Sequence, residues 1–104
     1  MSTTQDYTIT EANPTQPTSA SYEVAVDSPV ITIAGLEADE TVVFRASQDG
    51  SDPSVADLVE TIDRRKAKGG VWKEKVYIGA GNKVMFIGDR LTASSSITVQ
   101  IEAS

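Results

Sequence analysis

Carboxylates and hydroxyls carry most of the reactive chemistry open to this 104-residue chain, because it contains no His and no Cys. Without imidazole it lacks the side chain best suited to move protons near neutral pH. Without thiols it has no thiolate nucleophile, no thiolate metal ligand and no disulfide. Ser-His-Asp, Cys-His and His-metal sites are therefore excluded. Asp49 begins a run with Glu60 eleven residues further on, the outline of a calcium loop. Such a loop needs oxygen ligands at its third and fifth positions and Gly at its sixth. Ser51, Pro53 and Ser54 stand there, so Asp52 reads as a helix cap instead. Ser94, Ser95 and Ser96 have no evident base, and Glu37, Asp39 and Glu40 read as a solvated acidic turn. Gly79 and Gly81 lack the third Gly and following helix of a phosphate-binding loop, so a tight turn is the expectation. On these residues the chain is expected to be no enzyme, with no catalytic, cofactor or metal site.

Contact chemistry is better represented. The net charge of −6 divides unevenly: residues 1–63 carry twelve acids and one base, residues 64–104 eight bases and three acids. Arg64, Arg65, Lys66 and Lys68, followed by Lys73 and Lys75, form a basic stretch that suits an acidic protein partner, including the acidic half of a second copy. The alternative is a fold that interleaves the two halves. Nucleic acid is disfavoured, because the rest of the chain repels phosphate. Trp72 and Tyr77 could stack on bases or sugars, but with only six aromatics in the chain core packing is the expectation. Tyr7 and Ile9, two apart in a polar segment, form the face of a short strand that must dock on the domain's own sheet or on a neighbour.

The elements that would position these residues are mainly strands. Residues 1–21, rich in Thr, Ser, Gln and Pro, read as an extended N-terminal arm, and 22–104 as the folded domain. Alternating or β-branched runs at 22–26, 30–34, 41–46, 71–78, 83–87 and 97–101 predict strands, with 71–78 and 83–87 joined as a hairpin through Gly79 to Asn82. Val55, Leu58, Val59 and Ile62 fall at helical spacing, with Pro53 at the start and Gly69 beyond the end, which predicts one helix over about 53–66. The fold class expected is mainly β: an antiparallel sandwich, Ig-like or jelly-roll-like, with that helix inserted. The sequence contains no run approaching the roughly 18 apolar residues that cross a bilayer and no signal-peptide pattern at its start, so a membrane role is not expected.

This plan of a polar arm, a compact cysteine-free β-sandwich and a chain begun at its own Met1 resembles small bacteriophage virion proteins of the head-decoration, or capsid cement, type. The resemblance implies a homo-oligomeric, non-enzymatic protein placed on the virion after assembly in the host cytoplasm, bound to the major capsid protein or to copies of itself. The strand pattern is also similar to that of Ig-like and fibronectin-like modules, and a carbohydrate-binding or adhesion module is the rival expectation.

Overall fold

A computed structural model describes residues 4–17, 24–47 and 58–103. Eight strands follow one another: β1 (Thr4–Ile9), β2 (Thr15–Gln16), β3 (Val30–Ala34), β4 (Thr41–Ala46), β5 (Leu58–Ile62), β6 (Val71–Lys75), β7 (Val84–Asp89) and β8 (Ile97–Glu102). They form two antiparallel four-stranded sheets, in the orders β1-β8-β3-β6 and β2-β7-β4-β5. Each strand of the first half is paired with the one whose number brings the sum to nine: 1 with 8, 3 with 6, 2 with 7, 4 with 5. The chain is thus wound like one long hairpin whose strand pairs alternate between the sheets.

Alternation explains the core. Ile31 and Ile33 on β3, and Ile97, Val99 and Ile101 on β8, point one way from the first sheet; Val42, Phe44 and Ala46 on β4, with Val84 and Phe86 on β7, point one way from the second. All join a single buried cluster. Its centre is the Phe44–Phe86 pair, opposite each other in register, with ring centroids 5.0 Å apart and planes 11° from parallel. Full burial of each such side chain contributes about 1.5–3 kcal/mol before the entropy of ordering it is subtracted.

The segment read as an arm supplies a strand to each sheet. β1 pairs along its length with β8, and β2 pairs with β7. Tyr7 and Ile9 thus dock on the domain's own sheet, the first of the two options their spacing left open. The helix expected over 53–66 is corrected at its centre, where Leu58–Ile62 is a strand paired with β4; residues 53–57 lie outside the described residues. Tertiary pairing overrides a helical spacing that four apolar residues meet by coincidence. Among the described residues one short helical turn, Lys68–Gly70, follows, and Gly69 serves there with φ +67°.

Two further expectations change. Val24 is not in a strand, although it is buried; its N–H donates to Asn82 O (2.9 Å) and its carbonyl accepts from Gly81 N (2.8 Å). The 71–78 and 83–87 runs do not form a hairpin either. β6 lies in the first sheet and β7 in the second, and the 79–82 turn carries the chain between them.

Candidate functional site

The edge strands β5 and β6 belong to different sheets, and a groove of about 460 Å3 opens beside them. Buried Phe44 lines it from below, and Trp72, Val76 and Tyr77 supply apolar walls. Glu60, Glu74 and Lys75 supply its polar groups. Register explains the carboxylates. Glu60 sits opposite Phe44, and Glu74 opposite Ile31, so both occupy positions whose partners face the core. A carboxylate there is tolerable only where water reaches it. Departures of this kind from the alternating pattern mark functional sites more often than ordinary surface.

Of the three large apolar side chains exposed among the described residues, Tyr77 (76%) lines the groove, while Val59 (47%) on β5 and Val71 (44%) on β6 stand at the outward positions of the two sheets, opposite Arg45 and Ala34. Lys75 Nζ lies 5.6 Å from the Tyr77 ring centroid, within cation–π range. Lys66 Nζ pairs with Glu60 Oε1 at 2.8 Å at the margin of the groove. A glycosidase-type general acid needs a carboxyl kept protonated by burial. Glu74 is exposed, and Glu60 is 41% exposed at its side chain and held in that ion pair.

The residues expected to make contacts are distributed otherwise. Ile9 is fully buried, and Tyr7, half-buried against the core, accepts a hydrogen bond from Gln5 Nε2 (3.2 Å). Burial pushes the Tyr7 hydroxyl above its ordinary pKa, and the Gln5 bond pulls it partly back. Arg64 Nη1 donates to the Leu36 carbonyl at 2.7 Å, which ties the 63–67 turn to the start of the β3–β4 connection. Arg65 pairs with Asp63 at 3.4 Å. The Asp63 carboxylate caps this turn, accepting from the N–H groups of Lys66 and Arg65 at 3.0 Å each. The Lys66 N–H, ahead of the Arg65 charge, holds Asp63 below the usual carboxylate pKa. Lys68, Lys73 and Lys75 remain exposed. Of the six bases, Arg64, Arg65 and Lys66 are tied to a carbonyl or to acids, and Lys68, Lys73 and Lys75 make no ion pair among the described residues.

Glu40 and Ser95 also differ from expectation. Glu40 is 3% exposed, not solvated, and its carboxylate accepts from the Ser95 hydroxyl and from Glu37 N (2.8 Å). Ser95 in turn accepts from Thr92 N at 2.8 Å. The network fastens the 37–40 turn to the 92–95 turn. Ser95 is 6% exposed, so it has a carboxylate partner but no access for a substrate.

Trp72 and Tyr77 are legible in the sequence as candidate binding residues, whereas Phe44, Glu60 and Glu74 are not. The available signal was the pair Trp72 and Glu74, two apart in a predicted strand and so on one face. Glu60 was hidden by the helical reading. Among the described residues no group of three His, Cys, Asp or Glu side chains is placed to hold a metal ion, and no helix is long and apolar enough to cross a membrane. No protein-family model, curated protein or solved structure matches the chain.

Proposed function

We propose that this chain is a non-enzymatic contact module, a jelly-roll β-sandwich that decorates and stabilises an assembled shell such as a bacteriophage capsid, and that it grips its neighbour with the β5–β6 side. The observation that carries the reading is the open groove at that side, where Trp72, Val76 and the exposed Tyr77 present apolar surface beside polar groups. A largely apolar, aromatic-lined groove with a few polar groups is the kind of surface through which proteins bind a partner. The sum-to-nine pairing is the strand order of a jelly roll, an architecture common in capsid and lectin domains. A module that binds only the assembled lattice stabilises it by mass action, and many copies multiply a weak contact.

Co-sedimentation with assembled shells of the major capsid protein tests this. The intact chain should pellet with shells and not with free subunits, and the surface change Tyr77→Lys should abolish pelleting. Pelleting unaffected by that variant would overturn the assignment of the side.

One observation favours a second reading. Trp72 and Tyr77 line the same groove as two carboxylates, the mix of aromatic faces and acceptors that suits a neutral saccharide. Binding on a glycan array that is lost in Glu74→Gln and Tyr77→Ala, with no pelleting on shells, would select it.

A further inference from the structure

The outward face of the first sheet carries its bases on the β6 rim and its acids toward the β1 rim. Three rows cross the four strands: Lys75, Val30, Glu102 and Thr4; Lys73, Thr32, Gln100 and Asp6; Val71, Ala34, Thr98 and Thr8. The middle strands present mostly short side chains. Lys73 and Lys75 stand exposed on the β6 rim, and Asp6 on the β1 rim with Glu102 one strand inward. Neither lysine makes an ion pair among the described residues, and Asp6 accepts only the Gln100 amide, at 3.1 Å. Three strand spacings separate Lys73 from Asp6, about 14 Å. That exceeds the screening length of about 8 Å at physiological salt, so the rims do not neutralise each other within one copy.

We propose that this face is an interface for a second copy of the chain, stacked about a two-fold axis parallel to the strands. That rotation lays β6 of each copy over β1 of the other while keeping every residue in its own row. Lys73 of each copy then meets Asp6 of the other, and Lys75 meets the row holding Glu102. The other in-plane axis would set Lys73 on Lys73. Charge thus selects one of the two symmetric stackings, and the isologous contact uses each pair twice. The same rotation sends the two β5–β6 grooves to opposite sides, so a dimer would bridge two ligands. The proposal does not rest on what those ligands are.

The footprint is about 19 by 17 Å per copy, from four strand spacings and five residues of rise. This is well under the roughly 800 Å2 per partner of a standard interface, so association is weak. Sedimentation equilibrium up to about 1 mM protein in low salt should show a reversible monomer–dimer equilibrium, weakened about tenfold or more at high salt. Lys73→Asp and Asp6→Lys should each abolish it, and the two together should restore it. Asp6→Asn, which keeps an acceptor for Gln100, should weaken it several-fold, on the order of one exposed ion pair used twice. A monomer throughout, a dimer indifferent to these changes, or a double variant no better than the singles would each overturn the proposal. Circular dichroism of each variant separates misfolding from lost association.

Discussion

The two lateral sides of this molecule solve the same problem in opposite ways. On each, an edge strand of one sheet lies near an edge strand of the other. At β1–β2 the chain crosses between sheets through residues 10–14, Ile9 fills the junction with no exposed surface, and Gly88 N donates to the Pro14 carbonyl at 2.8 Å. Packing there is tight enough that a Cβ on Gly88 would lie 2.7 Å from Ile9 Cγ2 and 2.9 Å from a Leu91 methyl carbon. At β5–β6 the core-facing register positions hold Glu60 and Glu74, and a groove replaces the apolar plug. One side is built for stability and the other is kept open at some cost to it. The proposed function rests on that contrast.

Changes at the two sides should therefore behave differently. Ile9→Ala removes a fully buried side chain at the closed junction and should cost about 2–5 kcal/mol in chemical denaturation. Gly88→Ala at the same junction should cost about 1–3 kcal/mol, because Ile9 and Leu91 must both shift. Arg64→Ala, which strands the Leu36 carbonyl, should cost about 1–3 kcal/mol while leaving ligand binding at the groove intact. Glu74→Gln should change stability by less than about 0.5 kcal/mol and yet weaken binding, the reverse of the closed-side variants. A large loss of stability there would mean that the groove is part of the core.

The smallest effect is one of pH. The Tyr7 hydroxyl titrates above its unfolded value because burial opposes the phenolate. The folded state thus resists ionisation. Its advantage is full below about pH 10 and falls as pH rises through the folded value. Stability should decline in that alkaline window, and Tyr7→Phe should remove this part of the decline in a pH series of denaturation midpoints.

Strands 30–34, 41–46 and 97–101 were legible because β-branched alternation has only one physical reading when turns bound it on both sides. The expected helix was not. Leu58, Val59 and Ile62 satisfy a helical spacing, yet each is also a good strand residue, and the decisive influence is β4 lying alongside. The hairpin between 71–78 and 83–87 failed for a related reason. Turn chemistry at Gly79–Asn82 predicts a reversal but not whether the chain rejoins its own sheet or crosses to the other. Half of the groove could be seen in advance through Trp72 and Tyr77. Glu60 could not, since its inward direction exists only once the Phe44 register is known.

The central claim is that the β5–β6 side is the working surface. Hydrogen exchange of the chain free and bound to assembled shells tests it directly. Added protection should fall on 58–62 and 71–78, with the β1–β2 side unchanged. Protection confined to 4–16 would contradict the account and return the function to the N-terminal segment.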